Sequence, residues 1–172
     1  MDVDSCIEGR TSTRVFIADP VDEKTVVEAL RMANLAPSAG NLQARDMIVV
    51  RNDGVKRLLV EAAYGQEFIR TAPVVIVFCA NMERIAHYGE RGTELYALQD
   101  VAAAIENMML FLHGRGVGSV WVGAFDERKV AEALGTPEHA RPVAMVPIGY
   151  PAERGVRRKR LAVDEVVHWE KW

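Results

Sequence analysis

Residues 93 to 113, TELYALQDVAAAIENMMLFLH, constrain the fold of this chain more than any other stretch. The segment has good helix formers, no proline and no glycine, and its apolar residues point to several sides of a helix. A helix apolar on most faces is normally buried, so the segment predicts a core helix that the rest of the chain must cover. Gly114 and Gly116 follow at once and are expected to stop it. With 172 residues, 49% of them hydrophobic, the chain is long enough to supply that cover as one domain spanning 1–172.

The flanking segments alternate between helical and strand patterns without an obvious linker or repeat. Asp22 can cap a helix running to Leu35, with Val26, Val27, Leu30 and Ala33 on one face, and Pro37 ends it. DMIVVR (46–51) reads as a strand, and Asp53 can cap a helix carrying Val55, Leu58, Leu59 and Ala62. APVVIVFCA (72–80) is an unbroken apolar run of strand length, expected to be a central strand buried on both faces. SVWVGAF reads as a short strand, Asp126 can cap a helix ending at Gly135, and RPVAMVPIGYP is a last strand. The amphipathic tail carries Val166, Val167, Trp169 and Trp172, which should dock on the chain's own domain or on a neighbouring subunit. The pattern is mixed α/β, without the strict strand–helix rhythm of a doubly wound sheet.

Several chemistries lack their motifs. The histidines (His87, His113, His139 and His168) are scattered and no H-E-x-x-H occurs, so a metal site is not expected. No P-loop is present. GRGVGSVWVG follows a helix and precedes a strand, the reverse of a dinucleotide-binding turn. No serine sits in a nucleophile elbow, and Cys6 has no activating partner nearby in sequence. Glu94, Asp100 and Glu106 are spaced six apart, do not share a helical face, and are expected to be salt-bridged or solvent-facing. The net charge of −3 does not favour nucleic acid. No apolar stretch reaches membrane-spanning length uninterrupted, and MDVDSCIEGR lacks the basic start of a signal peptide. Two cysteines without a C-x-x-C fit a cytoplasmic protein. A rich core without an evident acid, base, nucleophile or metal suggests that a cofactor brings the reactivity.

Two basic clusters could hold an anionic part of such a cofactor. RTSTR places Arg10 and Arg14 around Ser12, and guanidinium forks beside a hydroxyl suit a phosphate. RGVRRKR supplies Arg154, Arg157, Arg158, Lys159 and Arg160. Each alone also reads as a solvated edge. The stretch PSAGNLQ (37–43) is unusual too, because an ordinary helix exit needs only a glycine.

RTSTRVF, PSAGNLQ, QDVAAAIENMMLFLHGRGVGSVWVGAFD and PVAMVPIGYP…RRKR occur in this order over essentially the whole chain and together resemble the FMN-dependent nitroreductase family, in its compact NADH oxidase-like form. That resemblance implies an α+β nitroreductase-like fold. Its central sheet would be mixed and mainly antiparallel, flanked by helices, with the long buried core helix at a dimer interface. It implies tightly bound, non-covalent FMN held by Arg10, Thr11 and Ser12 at the phosphate and ribityl chain, with Arg158 and Arg160 completing the phosphate clamp. Arg14 would lie at the flavin N1–C2 oxygen edge, where a fixed cation stabilises charge that builds on reduction. Val122, Gly123 and Ala124 would pass the N5 side, and Gln66 would approach the polar edge. Pro37, Ser38, Ala39, Gly40, Asn41 and Gln43 would come from the other subunit.

The same resemblance implies a homodimer that passes electrons from NAD(P)H through flavin N5 to nitroaromatic, quinone or similar small acceptors by a ping-pong mechanism. The protein would supply no catalytic acid or base of its own. Neither a nucleic acid nor a membrane is expected as a partner. Better-known members carry a glutamate where this chain has Gly123, which bears on acceptor choice. Related chemistries such as dehalogenation or flavin modification usually need a lid; 81–96 is the place for one. A non-catalytic flavin-binding module is the remaining alternative.

Overall fold

The computed structural model describes residues 1–153 and 155–172, so Arg154 of the second basic cluster lies outside the described residues. In chain order the elements are α1 (Val3–Gly9), α2 (Glu23–Asn34), β1 (Arg45–Val50), α3 (Asp53–Ala62), α4 (Phe68–Thr71), β2 (Val74–Asn81), α5 (Met82–Ile85), α6 (Gly89–Arg91), α7 (Ala97–Gly114), β3 (Gly118–Ser119), α8 (Glu127–Leu134) and β4 (Ala140–Gly149). The four strands pair antiparallel in the order β1-β2-β4-β3.

β2 is buried along its whole length, as the unbroken apolar run implies. Its side chains alternate between two cores. Val74, Ile76, Phe78 and Ala80 join the core built with α2 and α7, while Val75, Val77 and Cys79 join the one built with α3 and α8. An antiparallel strand usually leaves one face to solvent; here helices cover both faces, so neither can be polar. The α+β architecture expected from the sequence is the one observed.

Capping residues set the helix starts. The Asp22 side chain accepts from Thr25 N, and Asp126 does the same for Lys129 N. Gly135 closes α8 in the left-handed region. The start of α3 is set by Asn52 rather than Asp53, since the Asn52 side chain accepts from Val55 N. On α2 the buried stripe is Val26, Ala29 and Ala33, which leaves Val27 exposed about 100° round the helix. On α3 it is Lys56, Leu59, Val60 and Ala62, which leaves Leu58 exposed. Lys56 is a buried cation because its ammonium donates to the Arg70 and Ala72 carbonyls at 2.9 and 3.0 Å.

The long helix departs from expectation at both ends. Its α-helical part starts at Ala97, after a π-helical turn over Gly92–Tyr96. Gly114 is its last residue, and the chain turns at Gly116, whose φ is +76°. The helical run 82–114 has the length and apolar composition that a buried core helix shares with a membrane span. In the fold, Ala97, Val101, Ala104, Ile105, Met108, Met109 and Leu112 are buried against the sheet and α2.

Of SVWVGAF only Ser119 lies in the two-residue β3, and Val122 makes an isolated bridge with Met145. Between them Val120 N donates to the Pro147 carbonyl, and proline has no N–H to return the bond. The tail makes one helical turn at Val163–Glu165 and leaves its large side chains exposed on this chain, with Trp169 at 84%. Docking on the chain's own domain is therefore not observed.

Met108 is fully buried beneath the sheet, so Met108→Ala should lower unfolding free energy by about 2–5 kcal/mol in urea titration. A loss under about 1 kcal/mol would mean that the α7–sheet contact is not the main core.

Candidate functional site

Arg10 caps the C-terminus of α1, and the following segment runs extended along the end of the sheet. Thr13 N donates to the Ser119 carbonyl at 3.0 Å, and Ser12 bridges Ser119 in parallel. On the other side Ala152 N donates to the Val15 carbonyl at 3.0 Å, and Ile17 N to that of Tyr150. RTSTR is thereby held between β3 and the chain leaving β4, which brings the two basic clusters together. Arg10, Thr11, Ser12 and Arg14 line a cleft of ≈ 630 Å³ with Glu153, Gly155, Arg157, Arg158 and Arg160. A Cβ at Gly155 would overlap the Thr11 hydroxyl, so a bare backbone is required where the two segments meet. A second cleft, ≈ 700 Å³, shares Thr11, Glu153 and Gly155 and extends to His113.

Five arginines and two glutamates, Glu8 and Glu153, are among the cleft's lining residues. Arg10 is half-buried, 4.0 Å from the Glu106 carboxylate, which fulfils the salt-bridged expectation for that acid. The Arg14 guanidinium lies 5.7 Å from the centre of the Phe68 ring. Arg158 and Arg160 are exposed and carry no ion pair among the described residues. A fork of this kind can take a phosphate dianion in parallel hydrogen bonds.

The Gln66 amide donates to the Ala63 and Ala124 carbonyls at 3.1 and 3.0 Å, which joins AYGQEFI to WVGAF. Val122 is buried beneath, exchanging bonds of 2.9 and 3.0 Å with Met145. Gly123 and Ala124 are exposed, and a Cβ at Gly123 would meet nothing closer than 3.8 Å. The protein's own packing therefore does not demand glycine there.

Pro37, Ser38, Ala39, Gly40, Asn41 and Gln43 line neither cleft of their own chain. They form a tight loop in which Gly40, Asn41 and Gln43 all have positive φ, at +56°, +57° and +51°. Ser38 Oγ accepts from Gln43 N, and the Gln43 amide donates to the Asn41 carbonyl. Gln43 thus helps to fix the turn. Sequence reasoning missed what lies beneath. Asp100, expected to be salt-bridged or solvent-facing, is 4% exposed and accepts from Ala39 N and Ala44 N at 2.9 and 3.2 Å. The available signal was an acid flanked on one helical face by Ala97 and Ala104. Arg45 was missed as well.

Cys79 does not act as a nucleophile in this arrangement. Burial, aided by Asp46, pushes the Cys79 thiol up to about 11, so it stays protonated. No cluster of metal-ligating side chains is present among the described residues.

The nitroreductase family model matches residues 7–66 and 56–150. The chain belongs to the nitroreductase family. It is 37% identical to an NADH dehydrogenase of Thermus thermophilus, across 93% of this chain and 92% of that one. It is 28% identical to an FMN reductase [NAD(P)H] of Bacillus subtilis, across 94% of this chain and 70% of that one. Nitroreductase A of Vibrio parahaemolyticus has the same fold: it superposes with a TM-score of 0.93 at 24% identity, covering 100% of this chain and 77% of that one. The family is one of oxidoreductases; the Arg10–Arg14 side of the cleft lies within the matched residues, and the side formed by residues 153–160 lies beyond them.

His113 packs at the cleft wall, where a Cβ on Gly9 would come within 2.7 Å of its Nε2. Burial and then Arg10 hold its imidazolium below the ordinary 6.5. A depressed histidine favours folding while neutral, so this stability is present above the unfolded value and lost as pH falls through the folded one. Unfolding free energy should therefore decline as pH falls below the ordinary histidine value of 6.5, and less steeply in His113→Gln. Equal slopes in the two proteins would remove His113 as the cause.

Proposed function

We propose that this chain is an NAD(P)H-dependent flavin oxidoreductase of the nitroreductase and NADH oxidase type, with FMN held tightly but non-covalently. The observation that carries this reading is the convergence of Arg10, Ser12 and Arg14 with Arg158 and Arg160 at one cleft, from opposite ends of the chain. The donor set of the cleft fits, with guanidinium forks and hydroxyls for a phosphate and ribityl chain; Gly123 and Ala124, outside the lining of both clefts, offer an exposed backbone. The named relatives, an NADH dehydrogenase and an FMN reductase, support the nicotinamide donor and the flavin.

When bound, FMN supplies reversible two-electron transfer between a nicotinamide and an acceptor. The protein's residues bind and orient. Arg10, Thr11, Ser12, Arg158 and Arg160 anchor the phosphate end. Arg14, braced on Phe68, offers fixed positive charge to the ring's pyrimidine edge. Gln66 holds the carbonyl of Ala124, and the Gly123–Ala124 amides would be the donors to the N5 side of a bound flavin. No side chain has to act as acid or base. A single open slot serving donor and acceptor in turn would make a ping-pong scheme, suited to flat, electron-poor acceptors such as nitroaromatics and quinones.

The working unit is a homodimer of one-domain chains (1–172) in the cytoplasm. It is supported by the exposed Trp169 and Trp172 of the tail and by the incompletely covered Ala102, Ala103, Leu110 and Phe111 of α7. The 37–43 loop then belongs to the other subunit's flavin site.

The purified protein should show the visible bands of oxidised flavin, bleaching when NADH is added without air. A colourless protein that takes up no added FMN would end this reading. Loss of a charge-assisted phosphate contact is worth about 1.5–3 kcal/mol, so Arg158→Ala should raise the FMN dissociation constant roughly 10- to 100-fold. Arg14→Ala should weaken binding or slow reduction in stopped-flow; if both values stay at wild type, Arg14 is not at the ring.

A further inference from the structure

The 37–44 loop has a conformation that joining α2 to β1 does not require. Two non-glycine residues, Asn41 and Gln43, sit in the left-handed region beside Gly40, and the Tyr88 hydroxyl closes on Gly40 so tightly that any Cβ there would overlap it. Left-handed non-glycine residues persist only where the surroundings over-determine them, and such strain tends to gather at ligand-facing segments. Here the surroundings are two buried charged side chains. The two oxygens of Asp100 each take one backbone amide, Ala39 N at one end of the turn and Ala44 N at the other. Arg45, 3% exposed, donates from Nη2 to the Asn34 and Ala36 carbonyls at 2.9 and 2.8 Å, and from Nη1 to the Pro37 carbonyl at 3.4 Å. Its Nη1 also reaches the Asp100 carbonyl at 3.5 Å, which ties the clamp to α7. Asp100 thus spans the loop from below, and Arg45 gathers the last carbonyl of α2, at Asn34, with those of Ala36 and Pro37 just beyond it.

We propose that Asp100, backed by Arg45, is a positioning residue of the cofactor site: its carboxylate holds the left-handed 38–44 loop in the shape that one subunit presents to the FMN of the other. This inference rests on the proposed flavin reading and adds to it a buried pair that touches neither cofactor nor substrate. A pair serving only the core would not need both carboxylate oxygens on backbone amides of the same loop.

The test compares Asp100→Asn with Leu59→Ala, a cavity variant in the core on the opposite face of the sheet. Asparagine keeps the size but turns an NH2 group toward one of the two amide donors. In flavin-free protein, hydrogen exchange across 38–44 should rise about tenfold or more in Asp100→Asn, while the amides of β2 stay protected. The FMN dissociation constant should rise about tenfold, and the bound flavin's visible bands should shift. Leu59→Ala should lower the thermal midpoint at least as much while leaving loop exchange, affinity and spectrum at wild-type values. Arg45→Lys, which keeps the charge but not the fork, should move the same readouts in the same direction and serves if Asp100→Asn does not fold. Faster loop exchange with unchanged FMN affinity and spectrum would overturn the proposal, as would equal weakening of FMN binding by Leu59→Ala. Wild-type protein that binds no FMN would instead remove the flavin reading itself, before any variant is compared.

Discussion

The packing of α7 against the sheet is the contact on which the rest of the structure depends. It buries one stripe of the helix, and that burial fixes the rotation and height of every other side chain the helix carries. Asp100, Glu106 and His113 leave α7 over a rise of roughly 20 Å, estimated from 1.5 Å per residue. They serve three different places: Asp100 the 37–44 loop, Glu106 the Arg10 guanidinium, and His113 the wall beside Gly9. Their spacing does not put them on one face, and it does not have to. A single rigid element sets the geometry of a loop at one end and a cleft wall at the other.

Charge is distributed to match. The chain is net acidic, yet arginines from its two ends are concentrated at one cleft. That segregation is produced by sheet topology. β3 lies at the edge of the sheet beside β4, so the N-terminal segment can run beside β3 and also pair with the chain that leaves β4. Glu106 and Glu153 offset part of the repulsion without occupying the exposed guanidinium forks of Arg158 and Arg160. Several like charges gathered on flexible side chains at a surface make a site that an anion completes.

The loop and the cleft use opposite strategies. The cleft's arginines are mostly exposed, and few of them are tied to the protein's own groups. The loop is ordered in advance by buried Asp100 and Arg45, whose burial is tolerated because their bonds go to backbone groups. Burial pulls the Arg45 guanidinium below its ordinary value, and its contacts with four carbonyls keep it in use as a donor. Its Nε has no partner among the described residues.

Local pattern was enough to read β2, the caps at Asp22 and Asp126, the close of α8 at Gly135 and the existence of α7, because each depends on neighbours within a turn or two. The ordered motifs also pointed to the family. Where the reading failed, a distant partner decided. SVWVGAF is broken as a strand by Pro147 across the sheet, and Val27 and Leu58 lost their places to residues that the neighbouring layer happened to face. The tail's tryptophans have no cover on this chain. By itself, then, the sequence determined the elements, the family and the two basic clusters, since periodicity, capping and motif order are properties of contiguous residues. Only the tertiary structure decided that Arg10 and Arg158 line one cleft and that Asp100 lies under the loop, because those meetings depend on strand order and helix packing across more than fifty residues of chain.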